Sequence, residues 1–165
     1  VSRVILPGVG SFDWAITKLN ESGMREALDD CVLSDGMPVL GICVGMQIMA
    51  RKSDEGIEEG LAWIDASVNR LTDNIKEQLP LPHMGWNSIS LTRPSKLLEK
   101  LAESKFYFLH SYYFDCNNKD DVVATCKYGD EFAVVCNVGN IYGAQFHPEK
   151  SHGWGATLLL NFSEI

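Results

Sequence analysis

Two short apolar runs near the start of the chain have the pattern of buried strands, and each precedes a helical pattern. Residues 4–6 are apolar and stop at Pro-Gly, and residues 38–42 form the second run. Between them, apolar residues recur at helical spacing, with Ser11 placed to cap the helix and Gly23 placed to interrupt it. Another helix is expected from Met46. This order predicts parallel strands joined by crossover helices.

The middle of the chain changes to short β-branched and aromatic runs separated by turn residues. These runs cover residues 66–71, 85–92, 106–114, 122–128, 131–138 and 141–146. Turn sequences between them favour antiparallel neighbours, while residues 95–101 and 155–162 have helical patterns. We therefore expect one α/β domain over residues 1–165. Its open, mostly parallel sheet should be flanked by helices and accompanied by a small antiparallel sheet.

Composition and charge exclude several classes of protein. A formal net charge of −8 argues against nucleic acid or an anionic membrane surface as the main partner. No apolar run approaches the roughly 20 residues that a membrane span needs, and the start lacks a signal-peptide pattern. The five cysteines include no CxxC pair, and Cys126 and Cys136 lie in strand-like runs typical of buried thiols. These features predict a cytoplasmic, reduced protein without a metal.

Cys43 has the clearest chemical context in the sequence. It is the centre of Gly-Ile-Cys-Val-Gly at residues 41–45, where a buried strand gives way to a helix. This is the setting of a nucleophile elbow, and the glycines allow the close backbone approach that such a turn requires. We expect the helix N-terminus to favour the thiolate, and the Val44 N–H to stabilise an oxyanion. The motif alone also fits a buried cysteine between two chance glycines.

A base for this cysteine is available at another strand end. His147 follows the strand-like residues 141–146, and Glu149 lies two residues further on. Because ligand sites of open parallel sheets gather at the carboxyl ends of the strands, His147 can reach Cys43 there. Glu149 could then orient the second ring nitrogen, as the acid of a catalytic triad does.

The remaining histidines leave other interpretations open. A metal site built from His147, Glu149 and His152 has no further ligands at zinc-like spacing. His83 and His110 fit either satisfied core histidines or residues near a cleft.

The Pro-Gly-Val-Gly segment at residues 7–10 is a second candidate loop. A lone Gly-x-Gly after a strand could indicate a dinucleotide site, but Asp13 stands where the third glycine belongs. We interpret the segment as a tight loop at the same sheet edge as Cys43. There the backbone N–H of Gly8 or Val9 would be a second oxyanion donor.

Three motifs in matching order resemble those of class I (triad) glutamine amidotransferases. They are residues 7–10, residues 41–47 and residues 145–149, and the likeness extends from residue 2 to residue 162. Within the family, Pro-His-Met-Gly-Trp-Asn at residues 82–87 and the segment from His147 are similar to the HisH-like glutaminase subunits of imidazole glycerol phosphate synthase. Members of the family begin about a strand, a helix and a strand earlier. We therefore expect that N-terminal βαβ segment to be missing and a sheet edge to be bare.

The resemblance implies a reaction and a partner. Cys43 would attack the side-chain amide of glutamine, His147 would move the proton, Glu149 would orient His147, and no cofactor would be needed. Trp86 and Lys150 would face a (β/α)8-barrel, HisF-like synthase subunit that receives the ammonia. Four further positions match those that hold the amino-acid end of glutamine: Gln47, Glu55, Ser111 and Tyr112.

The destination of the ammonia has two alternatives. Histidine biosynthesis is one, but residues 106–113 resemble at least as closely the branch that amidates a surface-polysaccharide sugar. A partner-independent thiol hydrolase and a non-catalytic, partner-binding domain are further hypotheses. Gln47 and residues 82–86 favour an amidotransferase over the hydrolase, and the presence of all three triad residues argues against the non-catalytic domain.

Overall fold

The computed structural model describes residues 2–71 and 79–165 of the protein. The strands are β1 (Val4–Gly8), β2 (Val39–Cys43), β3 (Lys52–Ser53), β4 (Ala66–Arg70), β5 (His83–Ser88), β6 (Ser90–Leu91), β7 (Lys105–His110), β8 (Tyr112–Cys116), β9 (Val122–Tyr128), β10 (Asp130–Val138) and β11 (Ile141–Ala144). The α-helices are α1 (Phe12–Glu21), α2 (Arg25–Asp29), α3 (Val44–Gln47) and α4 (His152–Ser163).

Most strands form one large sheet in the order β1-β2-β11-β10-β8-β4-β3, and β9 and β6 extend it from β10. β2 pairs in parallel with β1 and β11, whereas antiparallel pairing joins β11, β10, β8 and β4. β5 and β7 form a separate two-stranded antiparallel sheet, called the small sheet below. The predicted α/β fold, with an open sheet and a small antiparallel sheet, is confirmed.

The first helix begins and ends where the sequence predicts. The Ser11 hydroxyl accepts a hydrogen bond from the Trp14 backbone N–H at 3.3 Å and caps α1. Gly23, with φ of 71°, separates α1 from α2. Phe12 and Ile16 are buried, so the helix packs on the sheet through one face.

The helix after Cys43 is shorter than expected. α3 is a single turn, Val44–Gln47, rather than a longer helix continuing through Met49. Its extension is prevented because the next carbonyl groups bond elsewhere in the chain. Ile48 O accepts from Leu61 N at 2.8 Å, and Met49 O accepts from Ile64 N at 3.1 Å.

The aromatic run predicted as one strand over residues 106–114 is two strands in different sheets. β7 pairs with β5 in the small sheet, and β8 pairs with β4 in the large one. Ser111 is the link between them, and its carbonyl accepts a hydrogen bond from Leu71 N at 3.0 Å. The run over residues 85–92 likewise divides at Ile89 into β5 and β6. Ser111 therefore lies where the two sheets meet.

Burial agrees with the apolar pattern. Cys126 and Cys136 are buried as predicted, and all five cysteines are free. The rings of Phe106 and Phe146 stack with centroids 3.8 Å apart and join the small sheet to the core. Within residues 2–71 and 79–165, no helix has the length and apolar character to cross a membrane.

Candidate active site

Cys43 lies at the strained turn between β2 and α3. Its backbone has φ of 54° and ψ of −115°, a conformation that is rare for residues other than glycine and typical of a nucleophile elbow. The flanking backbone has no room for side chains. A Cβ on Gly45 would lie 1.8 Å from the Leu6 carbonyl oxygen, and one on Gly8 would lie 2.3 Å from Gly45 N. The loop that follows β1 is thereby held against the nucleophile turn.

A cleft of about 310 Å³ opens beside Cys43. It brings together most of the predicted site residues: Val9, Cys43, Val44, Gln47, Glu55, Ser111, Tyr112, His147 and Lys150. Gly10, Pro82, Leu109 and His110 also line it. A larger groove of about 590 Å³ lies on β8–β10, and none of the predicted site residues lines it. Size alone therefore does not locate the chemistry.

Three predicted residues lie outside the lining of this cleft. Gly8 packs beneath Gly45, Glu149 lies behind His147, and Trp86 is on the outer face of the small sheet. Their contributions would be made through neighbouring groups or at a partner surface.

His147 is buried and oriented through both its ring and its backbone. Its Nδ1 lies 2.7 Å from Glu149 Oε1, so Nδ1 donates to the carboxylate and Nε2 is left to accept a proton. The His147 N–H donates to Tyr107 O at 2.9 Å. Ser151 Oγ donates to His147 O at 2.6 Å and accepts from Tyr107 N at 3.0 Å. The small sheet therefore fixes the position of the candidate base.

The pKa of the Cys43 thiol is raised, whereas the sequence predicted that it would be lowered. Burial raises its pKa to about 11, and a hydrogen bond from the Val44 N–H opposes that effect only in part. The expectation of a thiolate favoured by the helix is wrong, because α3 is one turn long and the side chain is 6% exposed. A thiol whose pKa is raised in this way needs a base to ionise it at neutral pH.

Two buried glutamines connect Cys43 to the opposite wall of the cleft. Gln47 Nε2 donates to Tyr112 O at 3.3 Å and to Gln145 Oε1 at 3.0 Å. Gln145 Nε2 in turn donates to Cys43 Sγ at 3.8 Å. Gln145 was missed as a site residue from the sequence. The sequence did indicate that Gln145 makes a buried hydrogen bond, because an uncharged polar side chain within an apolar run needs a partner inside the protein.

Glu55 lies in a loop that is hydrogen-bonded to the start of α1. Its Oε2 accepts the Phe12 N–H at 2.8 Å and so occupies the N-terminus of α1. Asp13 accepts the backbone N–H groups of Ile57 and Glu58, each at 3.0 Å. These bonds hold Glu55 at the cleft.

The outer face of the small sheet is apolar and exposed beside the cleft. Met84, Trp86 and Leu109 are 65%, 47% and 37% exposed. Trp86 stacks on His152 with centroids 5.4 Å apart, and Lys150 Nζ lies 5.8 Å from the Tyr107 ring centroid. In the part of the chain that the structure describes, no group of His, Cys, Asp and Glu is arranged to hold a metal ion.

Comparison with known proteins agrees with this geometry. Residues 2–164 match the family model described as glutamine amidotransferase class-I. The imidazole glycerol phosphate synthase subunit HisH of Bdellovibrio bacteriovorus is 52% identical over 167 residues, covering 99% of this chain and 81% of the relative. HisH of Leptospira interrogans is 48% identical over 166 residues, with the same coverage of both chains.

Solved structures show the same fold. A crystal structure titled glutamine amidotransferase superposes with a TM-score of 0.72 at 19% identity, covering 99% of this chain and 80% of the other. The structure of PurLQS from Thermotoga maritima has a TM-score of 0.67 at 13% identity, covering 97% of this chain and 78% of the other. The chain belongs to the class I glutamine amidotransferase family.

Proposed function

We propose that the chain is the glutaminase subunit of imidazole glycerol phosphate synthase and supplies ammonia for histidine biosynthesis. Cys43, His147 and Glu149 would form the triad, and a (β/α)8-barrel subunit would receive the ammonia. One observation carries the proposal: Cys43 at a strained elbow shares its cleft with His147, whose Nδ1 is 2.7 Å from Glu149. The names of the relatives and their coverage support the pathway.

The first half of the reaction releases ammonia. His147 Nε2 removes the thiol proton as Cys43 Sγ attacks the side-chain carbonyl carbon of glutamine. The carbonyl oxygen becomes an oxyanion in the tetrahedral intermediate. When this intermediate collapses, the carbon–nitrogen bond breaks and the imidazolium returns its proton to the leaving ammonia. The product on the enzyme is a thioester with Cys43.

The second half regenerates the enzyme. A water molecule attacks the thioester carbon while His147 Nε2 takes its proton. Collapse of the second tetrahedral intermediate breaks the carbon–sulfur bond, releases glutamate and returns the proton to Cys43. Glu149 stabilises the imidazolium in both halves through its bond to Nδ1.

The oxyanion would be stabilised by backbone N–H groups on both sides of the elbow. Val44 begins α3 and already directs its N–H at the Cys43 sulfur. Val9 lines the cleft, because the contact between Gly8 and Gly45 brings its loop beside the turn. Val9 is therefore a better candidate for the second donor than Gly8.

The cleft has acceptors suited to the α-ammonium group of glutamine. A carbonyl only accepts, so the Gln47 atom 3.3 Å from Tyr112 O is the amide nitrogen. Both Gln47 N–H groups are used, by Tyr112 and Gln145, which leaves Oε1 for a ligand. Glu55 adds a carboxylate to the same cleft. The substrate carboxylate would face the Ser111–Tyr112 segment.

The outer face of the small sheet supports a partner that receives ammonia. Met84, Trp86 and Leu109 form an apolar surface, and Leu109 also lines the cleft. Large exposed apolar groups that lie together are typical of protein interaction sites. A synthase bound there would cover the mouth of the glutaminase site.

The test is glutamate release by the purified chain with and without the barrel subunit encoded by the same organism. We expect strong stimulation by the synthase subunit. Cys43→Ala should abolish glutamine-dependent synthesis and leave synthesis driven by added ammonium salt. Equal activity with and without any partner would indicate an independent hydrolase. Stimulation by a sugar-amidating partner instead would indicate that the ammonia is used in polysaccharide synthesis.

A further inference from the structure

A line of buried polar side chains runs from the small sheet to the nucleophile, and its histidine members have no role in the reaction above. His83 and His110 are directly opposite each other on β5 and β7. His83 Nδ1 lies 3.0 Å from His110 Nε2, and Asn87 Nδ2 lies 3.3 Å from His83 Nε2. At the other end, His110 Nδ1 lies 2.7 Å from Tyr112 O.

The proton positions in this line follow from one carbonyl group. Tyr112 O can only accept, so His110 Nδ1 carries a proton. Burial lowers the pKa of His110 to about 3, so the ring is neutral and its Nε2 accepts. His83 Nδ1 must then donate. Burial also lowers the pKa of His83 to about 4, which leaves His83 Nε2 to accept from Asn87.

The surroundings of His83 make these bonds difficult to replace by water. Its ring lies between Phe108 and Tyr128, with stacked centroids at 4.7 Å and 4.2 Å. His83 and His110 are 3% and 6% exposed. A polar group buried to this extent costs free energy unless its hydrogen bonds are made.

Tyr112 O joins this line to the reaction centre. It accepts from both His110 Nδ1 and Gln47 Nε2, and Gln47 continues through Gln145 to the Cys43 sulfur. The direction of the Tyr112 carbonyl therefore decides which end of the Gln47 amide faces the cleft. A carbonyl turned away would free a Gln47 donor and disturb the acceptor offered to the substrate ammonium.

We propose that His83 and His110 are positioning residues that hold the Tyr112 carbonyl toward Gln47 and so set the glutamine-binding wall and the contact of Gln145 with Cys43. The proposal rests on the glutaminase function proposed above. It concerns binding geometry more than proton transfer, because protons do not pass through a backbone carbonyl that accepts from both sides.

Two substitutions of His83 separate hydrogen bonding from packing. His83→Phe keeps an aromatic ring between Phe108 and Tyr128 but removes both hydrogen bonds. His83→Asn loses the ring but keeps an amide donor near the Nδ1 position. Positioning predicts a KM for glutamine that rises about tenfold or more in His83→Phe and less in His83→Asn. A purely structural role predicts a larger rise in KM for His83→Asn than for His83→Phe, and that result would overturn the proposal.

A second pair of substitutions, at His110, provides the same test if His83→Phe does not fold. His110→Asn keeps a donor for the Tyr112 carbonyl, whereas His110→Leu does not. The KM for glutamine should rise more in His110→Leu, while equal values in the two variants would contradict positioning. Folding is checked by circular dichroism in every case.

A measurement without turnover distinguishes failure of this inference from failure of the proposed function. Nitrogen-15 NMR of the wild-type chain should show His83 and His110 as neutral rings protonated at Nδ1. Protonation at Nε2 of either ring would overturn the hydrogen-bond directions. If the wild type released no glutamate and was not labelled at Cys43 by diazo-oxo-norleucine, the glutaminase proposal would fail while the NMR result still decided the tautomers.

Discussion

At the scale of single residues, the protein keeps its candidate nucleophile protonated and strained. The φ of Cys43 is positive, its side chain is almost fully buried, and its pKa is raised to about 11 by that burial. Such a thiol is a poor target for small oxidants and alkylating agents, since the thiolate is the reactive form. In the proposed mechanism, ionisation of Cys43 then depends on His147 and on a substrate that fills the cleft.

This state of Cys43 gives a pH profile that differs from that of an activated cysteine. The rate of Cys43 alkylation by iodoacetamide in the free chain should rise about tenfold per pH unit from pH 7 to 10, as expected for a thiol below its pKa. Mass spectrometry of the Cys43 peptide gives the rate, and Cys43→Ala is the blank. A rate that is already constant between pH 6 and 8 would show a preformed thiolate instead.

The contact between β1 and α3 depends on a glycine. Gly45→Ala would place a Cβ 1.8 Å from Leu6 O, so the backbone must move. We expect a loss of about 3 kcal/mol in the free energy of unfolding, measured with urea. Gly153→Ala is the matched control, because no atom outside its own stretch of helix lies within 4 Å of its added Cβ. Helix α4 should gain rather than lose stability there.

The identities of the candidate site residues were easier to predict from the sequence than the pKa values and hydrogen bonds of their side chains. Cys43, His147 and Glu149 stood out because each belongs to a local motif at a strand end. The raised thiol pKa could not be predicted in the same way, and the sequence indicated only that Gln145 needs a buried partner, not which partner it has. Both depend on what surrounds a side chain in three dimensions, and Gln47 and Gln145 are 98 residues apart.

At the scale of elements, the small sheet supports the site with its backbone and its buried face. β7 holds His147 through Tyr107, and the carboxyl end of β7 leads through Ser111 into the wall of the cleft. The division of the aromatic run at Ser111 was not predictable from its pattern, because strand-like residues continue on both sides of this single serine. Which strand pairs with which depends on contacts between residues that are distant in the sequence, and local periodicity does not determine it.

The neutral histidines of this sheet predict acid sensitivity. The pKa values of His83 and His110 in the folded protein, about 4 and about 3, lie below the ordinary value of 6.5. Their contribution to the free energy of unfolding is fully present above pH 6.5 and is lost as the pH falls from 6.5 through the pKa of each ring in the folded protein. Between these two pH values, each ring should lower the free energy of unfolding by about 1.4 kcal/mol per pH unit.

Urea unfolding at pH 7, 5.5 and 4.5 measures this loss. His147 adds to the effect of burial in lowering the pKa of His110. His83→Asn should show a smaller slope of unfolding free energy against pH than the wild type. Parallel slopes for the two proteins would mean that His83 does not titrate in this way.

At the scale of the whole molecule, the proposed function makes the exposed face of the small sheet the docking surface for a barrel synthase subunit. Met84→Asp should place a charge in the apolar contact and raise the Kd for the barrel subunit by a factor of about 100. Glutamate release by the free chain should be unchanged, because Met84 does not line the cleft.

Leu160→Asp is the matched control for that substitution. Leu160 is 58% exposed on α4, so it receives the same charge at a comparably exposed apolar position outside this face. Titration calorimetry with the barrel subunit compares the two variants. Equal weakening by both would place the partner elsewhere or indicate a general effect of charge.

The alternation of side chains along β5 and β7 has a consequence for how such a protein can change over time. His83 and His110 point into the protein, while Met84, Trp86 and Leu109 point outward from the same two strands. Under the proposed function, substitutions at Met84 and Trp86, which do not line the cleft, would alter which synthase is bound without touching the inward hydrogen bonds. A glutaminase of the proposed kind would thereby acquire a new recipient for its ammonia through surface mutation at these two positions and keep its glutamine chemistry intact.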